Sequence, residues 1–439
     1  MRRAFSWILA GLSLALALTL AAPARAQAAP PAAPAPAPAA AAPQAFDPEA
    51  ATEEWLARLS PEKRERSDSY FEGKYWLSLW SYLYGLAVAG LLLATGFSAR
   101  LRDRIERLTR FRSLRTFLYI AAYILLTAVL TFPLTLYDNY FRERQYGLLT
   151  QTFGPWMQEQ LLGLALAAGL GGLALTGIYA VLRRAPRTWW LWGTVVSLVF
   201  LIFGALIAPV FLAPLFNRYT ELQDPVLRGP ILSLARANGI PAEHVYVYDA
   251  SKQGTRVSAN VSGLGGTLRI SLNDNLIQRA SPAGVKSVMG HEMGHYVLNH
   301  IYELIVEMGL VLFLGFGFLR WSFGRANARW GSRWGIRGID DPAGLPLVVA
   351  LLTTYLFLMT PVVNTIIRTN EAEADIFGLN AAREPDGFAE VALLLSEYRK
   401  LAPGPWEERL MFDHPSGKNR ILMAMRWKAE QGRQGGRQP

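Results

Sequence analysis

The sequence predicts an α-helical polytopic membrane protein that carries a small α+β domain. Of the 439 residues, 51% are hydrophobic, and the mean hydropathy is +0.18, which is high for a soluble enzyme. Apolar runs near or above the ~20 residues that a helix needs to cross a bilayer recur along the chain. From Asn217 a stretch of soluble-domain composition interrupts them, with short strand-like segments and capped helices.

The charge pattern and the cysteine count exclude several classes of protein. The formal net charge of +10 comes mostly from arginines that cluster between apolar segments, so it concerns membrane orientation. No strip of basic and aromatic residues indicates nucleic-acid binding, so we expect no nucleic-acid partner. The chain has no cysteine, which excludes disulfides, thiolate metal sites and a cysteine nucleophile.

Residues 1–26 have the layout of a cleavable secretory signal peptide. Two arginines precede an apolar run from Trp7 to Ala22, and small residues follow it. The alternative is a retained first transmembrane helix, although the run is short for a span. Residues 27–74 are expected to form an Ala/Pro-rich tether and a charged segment that holds a short helix around Glu53–Leu59.

Six apolar segments are expected to cross the membrane. Residues 75–216 contain four of them, and residues 305–367 contain two more, separated by an arginine-rich loop. The interiors of the first four lack ionisable side chains, which argues against a transporter or proton channel. The segments are about Tyr75–Phe97, Thr116–Tyr137, Leu161–Leu182, Trp189–Phe216, Ile305–Leu319 and Leu345–Ile367.

Residues 217–304 and 368–428 are predicted to form one α+β domain, and residues 429–439 a disordered tail. A small sheet is expected from strands that alternate with turn residues, with Gly263–Gly266 as one turn. The predicted strands are Val245–Tyr248, Arg256–Ser262 and Leu268–Leu272, and the later predicted helices are Asp386–Leu401 and Gly417–Lys428.

The run from Ser281 to His300 reads as one helix that contains His291-Glu292-Met293-Gly294-His295. Two imidazoles four residues apart lie on one helical face, where both can bind a single zinc ion, with Glu292 beside the open position of the metal. Such a site needs a third ligand, and Asn370–Asp375 offers carboxylates, of which Glu371 is the candidate. The alternative is a helix that carries these residues by chance.

These ligands predict a hydrolytic site. A zinc ion bound by them would acidify a water molecule, and Glu292 would take the proton and later pass one to the leaving amine. Met293 and Gly294 are then expected to be spacers. His300 is expected only to cap carbonyl groups at the helix end.

Three motifs resemble those of the integral-membrane zinc metalloproteases typified by the CAAX prenyl endopeptidases, with the bacterial membrane-bound heat-shock metalloproteases as relatives. They are His291–His295, Arg368–Asp375, and His414-Pro415-Ser416 with Arg420-Ile421, and the resemblance covers roughly Tyr75 to Lys428. It implies a zincin catalytic domain, one zinc ion per chain, and protein or peptide substrates. Because Glu371 follows the end of the predicted span Leu345–Ile367, the site is expected to lie at the surface of the lipid bilayer.

The resemblance also assigns roles to particular side chains. It implies that Glu371 rather than Glu373 is the third zinc ligand and that Asp375 orients a zinc-binding histidine. It further implies that His414 and Arg420 stabilise the carbonyl oxyanion or anchor the substrate. From the sequence alone, a surface histidine before a proline is an equally good interpretation of His414.

The edge of the small sheet is the expected place for the substrate backbone, and Arg256–Ser262 is our choice for that edge. Related proteases tend to carry Asn-Ala-Tyr where this chain has Ser258-Ala259-Asn260. Ser258 and Asn260 are therefore candidate substrate-binding residues, but the side-chain contacts of the family do not transfer to them.

Arginine clusters follow the first, third and fifth predicted spans, at Arg100–Arg115, Arg183–Arg187 and Arg320–Arg337. If the signal is cleaved and the new N-terminus lies outside, all three clusters are cytoplasmic, as the positive-inside rule requires. The catalytic domain would then face the periplasm of a bacterial inner membrane and act on membrane-associated or misfolded proteins.

Two other functions remain open at this stage. A cytoplasmic catalytic domain would favour CAAX-type processing of prenylated C-termini. A non-catalytic zinc-binding scaffold would preserve the two histidines of the motif without needing Glu292. No feature of the sequence predicts the oligomeric state.

Overall fold

The computed structural model describes residues 46–263 and 268–435. Their helices are α1 (Pro48–Ala57), α2 (Pro61–Ala94), α3 (Phe97–Leu108), α4 (Arg112–Leu136), α5 (Phe153–Leu166), α6 (Gly172–Arg184), α7 (Trp189–Ile207), α8 (Pro225–Ala237), α9 (Asp274–Arg279), α10 (Pro282–Val297), α11 (His300–Trp334), α12 (Leu345–Ala382), α13 (Pro385–Leu395), α14 (Pro405–Met411) and α15 (Gly417–Gly435). The strands are β1 (Tyr219–Glu221), β2 (Val245–Tyr248), β3 (Ala259–Ser262) and β4 (Arg269–Asn273).

Helices long and apolar enough to cross a membrane correspond to the six predicted segments. Five of them are single candidate spans by length and composition, namely Pro61–Ala94, Arg112–Gln145, Phe153–Arg184, His300–Trp334 and Pro342–Ala382. The sixth consists of Trp189–Ala205 and Ala208–Leu215, which meet at an angle of 44°. Prolines at positions 209 and 214 lie in the second piece, where a missing backbone N–H disfavours a regular helix.

Several segments differ from the sequence-based expectation. Helix α10 ends at Val297 instead of continuing to His300, and α13 ends at Leu395 instead of Leu401. The charged segment before Tyr75 is helical from Pro61 and continues directly into the first span. Residues Ala429–Gly435, expected to be part of a disordered tail, extend α15. The predicted signal peptide, the Ala/Pro-rich tether up to residue 45, most of the turn at Gly263–Gly266 and the last four residues lie outside the described part of the chain.

The soluble domain contains a four-stranded sheet with the strand order β1-β2-β4-β3. β1 pairs with β2 and β3 pairs with β4 in antiparallel fashion, whereas β2 and β4 are parallel. β3 therefore forms one edge of the sheet, which is where we expected the segment Arg256–Ser262 to lie. One face of the sheet packs with α8 and α10 around a buried apolar cluster that includes Ile270, Leu272 and Met289.

Helix α10 begins as the sequence predicts and is enclosed by neighbouring helices. The hydroxyl of Ser281 accepts a hydrogen bond of 3.1 Å from the backbone N–H of Gly284, and Pro282 occupies the first turn. Met293 is fully buried in the core beneath the sheet. Met293 is thus a core residue, and the expectation that it is only a spacer was wrong.

Glycines allow α10 to contact α12 closely. A Cβ atom at Gly378 of α12 would lie 2.8 Å from the backbone nitrogen of His291, and one at Gly290 would lie 3.0 Å from the carbonyl oxygen of Gly378. Gly294 faces Ala374, whose Cα would lie 3.1 Å from an added Cβ. Gly294 is therefore also a packing residue and not merely a spacer.

The three arginine clusters meet at the end of the membrane helices that lies far from α10. Arg102 donates a hydrogen bond of 2.9 Å to the carbonyl oxygen of Gly335, and Arg337 pairs with Glu106 at 2.7 Å. Arg183 at the end of α6 donates to the hydroxyl of Thr116 on α4 at 3.2 Å. Helix α12 starts at this end and carries Glu371 near its other end.

We expect Gly378→Ala to disturb the contact between α10 and α12, because its methyl group would meet the backbone of His291. Overpacking of this kind typically costs about 1–3 kcal/mol. The melting midpoint in detergent and the zinc content per chain should therefore both fall. Gly229→Ala in α8 is the control, since an added Cβ there meets nothing within 4 Å. Wild-type values for Gly378→Ala would contradict the requirement for close packing.

Candidate active site

Helices α10 and α12 bring together the three residues that the sequence suggested as metal ligands. The Nε2 atoms of His291 and His295 are 3.2 Å apart. Glu371 Oε2 lies 3.2 Å from His291 Nε2, and Glu371 Oε1 lies 3.6 Å from His295 Nε2. Two nitrogens and one carboxylate thus converge on one point from adjacent helices.

The spacing of these atoms fits a zinc ion. Bonds of about 2.0–2.1 Å in a tetrahedral arrangement place two ligand atoms about 3.3 Å apart. Glu371 Oε2 is buried and receives no hydrogen bond of good geometry from the described residues. Burial lowers the pKa of His295 to about 4, so its ring is neutral at pH 7, which is the form that binds a metal. Against the effect of burial, the carboxylates of Asp375 and Glu371 raise the pKa of His291 to about 10, so metal binding there would release a proton. The residues present therefore fit a bound zinc ion.

Glu292 lines a cavity of about 170 Å³ that also reaches His291 and Glu371. Residues of α10, α13 and the strand segment around Ser258 form much of its wall. Burial raises the pKa of Glu292 to about 7, which is suitable for a group that accepts and returns a proton near neutral pH. The arrangement brings a proton acceptor and a metal-binding group to the same cavity.

Asp375 connects His291 to Arg420. Its side chain is fully buried, and its Oδ1 atom lies 2.8 Å from His291 Nδ1. Arg420 donates two hydrogen bonds to the same carboxylate, of 2.8 Å from Nε and 2.5 Å from Nη2. Asp375 uses two of the five donors of the guanidinium group, which gives Arg420 a positioning role. Arg420 also lines the cavity that contains Glu292, so its contact with substrate or oxyanion stays a prediction.

His414 lies beside the carboxylate of Glu371. Its Nε2 atom is 3.1 Å from Glu371 Oε2, and its Nδ1 atom is 2.9 Å from the carboxylate of Asp413. The ring lines the same cavity as Glu292. It is therefore not a distant surface histidine, and its proximity is compatible with the predicted role toward the substrate carbonyl.

The two candidate substrate-binding residues of the edge strand differ in position. Ser258 lines the cavity, and its backbone N–H donates a hydrogen bond of 3.1 Å to the side chain of Asn273. Asn260 lies in β3 opposite Ser271 and does not belong to the cavity wall among the described residues. The structure brings Ser258, but not Asn260, to the candidate site.

His300 is a residue of the site that the sequence analysis did not recognise. It is 1% exposed, and its Nδ1 atom lies 2.9 Å from Nδ1 of His295. Its Nε2 atom lies 3.4 Å from Glu373 Oε2. If His295 binds a metal through Nε2, its Nδ1 carries the proton and donates to His300. His300 thus contacts a candidate metal ligand, instead of only capping the helix.

A local signal for His300 existed in the sequence. Asn299 adopts the left-handed conformation, with φ of 63°, between α10 and α11. Asparagine is one of the few residues that adopt this conformation readily, so Asn299 marks the place where the chain turns back toward the site. The turn places His300 beneath the ring of His295.

Comparison with known proteins identifies the family. Residues 46–218 match the family described as CAAX prenyl protease N-terminal, five membrane helices, and residues 221–428 match peptidase family M48. Metalloprotease YhfN of Bacillus subtilis is 31% identical over 336 residues, which are 76% of this chain and 79% of that protein. The chain belongs to peptidase family M48. It is a membrane metalloprotease, as the resemblance predicted.

A yeast relative and a solved structure extend the comparison of this M48 protease. CAAX prenyl protease 1 of Saccharomyces cerevisiae is 30% identical over 269 residues, or 57% of this chain and 59% of that protein. The crystal structure of Ste24p from S. mikatae aligns with a TM-score of 0.69 at 23% identity, covering 86% of this chain and 95% of that chain. The predicted fold class, a polytopic helical membrane protein with a small α+β zincin domain, is confirmed.

Metal analysis of two neighbouring variants tests the ligand assignment. We expect the purified protein to contain one zinc ion per chain, and Glu371→Ala to remove most of it, because Glu371 faces both Nε2 atoms. Glu373→Ala should retain far more zinc, since Glu373 reaches only His300. Equal loss of zinc from both variants, or loss of zinc only from Glu373→Ala, would show that Glu371 is the wrong choice for the third ligand.

Proposed function

We propose that this membrane metalloprotease is a zinc endopeptidase that hydrolyses peptide bonds of membrane-associated or misfolded proteins. The observation that carries the proposal is the convergence of His291, His295 and Glu371, whose ligand atoms lie within 4.8 Å of one another. Glu292 lines the cavity beside them. A scaffold that only binds zinc would not need this carboxylate, so its position favours an enzyme.

Each group of the cavity has a role in the proposed reaction. Zinc would supply Lewis acidity, which polarises a carbonyl group and acidifies water. Glu292 takes a proton from the attacking water and delivers one to the nitrogen of the leaving amine. His414 is in position to donate a hydrogen bond toward the carbonyl oxygen as negative charge develops there. The substrate backbone would lie along β3, next to Ser258.

Asp375 and Glu373 support the two histidines from behind. Asp375 lies against Nδ1 of His291, and the Glu373–His300 pair lies against Nδ1 of His295. A partner at Nδ1 fixes the tautomer and the orientation of a zinc-binding imidazole. Both rings would then present Nε2 to the metal without reorganisation.

Two features support a periplasmic catalytic domain in a bacterial inner membrane. The arginine clusters lie at the end of the bundle opposite the site, where the positive-inside rule predicts the cytoplasm. Helix α1, which follows the proposed signal peptide and tether, contacts α15 of the catalytic domain, with Lys418 Nζ 2.9 Å from Glu53 Oε1. Residues that follow a secretory signal are exported, so both arguments give the same orientation.

The relatives named CAAX prenyl protease 1 support a second candidate, the processing of prenylated C-termini. Prenylated proteins occur in the cytosol, so this function requires a catalytic domain on the cytoplasmic side. The orientation of the protein therefore distinguishes the two candidates.

Replacement of Glu292 by glutamine tests the mechanism. Glutamine keeps the size of the side chain but accepts no proton, and general-base catalysis is commonly worth about 10²–10⁴ in rate. We expect Glu292→Gln to keep its zinc and its melting midpoint while turnover falls by several orders of magnitude. The assay is the cleavage of a loosely folded protein by the zinc-loaded enzyme.

A chelator-treated sample and Glu384→Gln are the controls for this measurement. Glu384 pairs with Lys286 of α10 at 2.9 Å but does not line the cavity. The Glu384→Gln variant should cleave the protein substrate at the wild-type rate, whereas the chelator-treated enzyme should not cleave it. Cleavage at the wild-type rate by zinc-containing Glu292→Gln would exclude the proposed mechanism and favour the scaffold.

Labelling of single introduced cysteines tests the orientation, because the chain has no cysteine of its own. Arg104→Cys and Gln431→Cys lie at opposite ends of the molecule, and both positions are exposed. An impermeant maleimide should label Gln431→Cys in intact cells and reach Arg104→Cys only after permeabilisation. The reverse pattern would place the catalytic domain in the cytoplasm and make prenyl-protein processing the leading function.

A further inference from the structure

A second cavity lies at the end of the membrane helices that is far from the metal-binding residues. It has a volume of about 410 Å³, within the range of ~300–1,000 Å³ that small-molecule sites occupy. Residues of α3, the first two turns of α4, the last turn of α6 and the segment before α12 form its wall. Because three candidate membrane spans begin or end at this wall, the cavity lies where the helices leave the bilayer.

Arginines dominate the wall of this cavity, and two of them already have acidic partners. Arg102 is buried and pairs with Asp341, whose carboxylate also accepts the backbone N–H of Arg337 at 2.9 Å. The side chain of Arg337 pairs with Glu106 at 2.7 Å. These contacts join α3 to the loop before α12, so they are part of the structure of the wall.

The remaining three arginines, Arg112, Arg115 and Arg183, have no carboxylate within 4.0 Å in the described part of the chain. Arg115 uses Nε to donate to the carbonyl oxygen of Thr109 at 2.5 Å, and Arg183 uses Nη1 to donate to Thr116 at 3.2 Å. A guanidinium group has five N–H donors, so most of the donors of these three side chains remain available. Asp340 is the one lining carboxylate that has no ion pair of its own among the described residues.

The unpaired charges of the wall therefore favour an anion. Three arginines oppose one aspartate, and Arg112 and Arg115 lie in the first turn of α4, where the helix dipole disfavours cations. A bound anion would reduce the repulsion among the three guanidinium groups. It would also offset the unfavourable interaction of Arg112 and Arg115 with the dipole of α4. Arginine binds phosphate particularly well, because its planar donors match two phosphate oxygens.

Exposed apolar side chains next to the cavity indicate that the anion is attached to a lipid. Leu108, Phe111 and Leu114, at the turn from α3 to α4, are exposed by 75%, 60% and 43%. They adjoin Arg112 and Arg115 in the sequence, so acyl chains could contact them while a headgroup enters the cavity. Basic pockets between membrane helices commonly bind phospholipid headgroups in this way.

We propose that this cavity binds the phosphate group of an anionic phospholipid, held by Arg112, Arg115 and Arg183. The lipid would connect the ends of α4 and α6 to the loop before α12. The site is separate from the cavity that contains Glu292, and binding there does not depend on peptide hydrolysis.

The test uses the full chain, freed of lipid in a neutral detergent and titrated with phosphatidylglycerol, phosphatidylcholine or inorganic phosphate. The readout is the melting midpoint, which rises when a ligand binds the folded protein. Phosphatidylglycerol should raise it, and the double variant Arg112→Gln/Arg183→Gln should increase the apparent Kd by at least about 10-fold. Neither phosphatidylcholine nor inorganic phosphate should produce the same shift.

Arg184→Gln/Arg187→Gln is the matched control, since it removes equal charge at exposed positions outside the cavity wall. It should bind phosphatidylglycerol within about threefold of the wild type. The double variant Arg112→Lys/Arg183→Lys keeps the positive charge but loses the planar donors, so its affinity for phosphatidylglycerol should fall between those of the wild type and the glutamine variant. It provides the measurement if the glutamine variant does not fold.

Three results would overturn the proposal. Equal weakening by the control pair would indicate diffuse surface charge. An equal shift with phosphatidylcholine would show that the negative charge of the lipid is irrelevant. An equal shift with inorganic phosphate would indicate a site for the free anion, with no role for the acyl chains.

Discussion

The close contact between α10 and α12 is the constraint on which the rest of the site depends. Helices that carry ordinary side chains at their contact pack about 8–10 Å apart, and glycine reduces this distance. At Gly378 the helix backbones are so close that one methyl group would collide with His291. About two turns nearer the start of α10, a Cβ at Gly387 of α13 would lie 2.5 Å from the backbone of Ala283. The helix that carries the two candidate histidine ligands is thus held by close backbone contacts at two points along its length.

Given this contact, the helical phase of α12 decides what each of its acidic residues does. Glu371 and Asp375 are four residues apart and lie on one face, so both point toward α10. Glu373 lies about 200° around the helix from Glu371, and it reaches His300 where α11 begins. Each imidazole therefore has a carboxylate behind it, directly for His291 and through His300 for His295. The fully buried charge of Asp375 is stabilised by two hydrogen bonds from Arg420.

The sequence predicted the parts of this site that short-range patterns encode. Helical spacing predicted that His291 and His295 share a face, and the Ser281-Pro282 start predicted where α10 begins. Hydropathy predicted all six apolar segments. The packing role of Gly294 and the position of His300 depend on contacts between distant segments, which no local pattern reports. Composition also failed for the charged segment before Tyr75, which is typical of a tether. In the structure this segment is helical because it continues the helix of the first span.

Helix α12 also explains how a soluble-looking site is kept next to the membrane. Leu345 and Glu371 are separated by about 39 Å along the helix, at a rise of 1.5 Å per residue. The hydrocarbon core of a bilayer is about 30 Å thick, so a span that enters near Leu345 leaves the core before it reaches Glu371. The third candidate ligand is therefore held just beyond the membrane by the same helix that crosses it. If β3 holds the substrate backbone as proposed, a protein segment close to the bilayer would reach the cavity without leaving the membrane surface, whereas a compact soluble protein would first have to expose a strand.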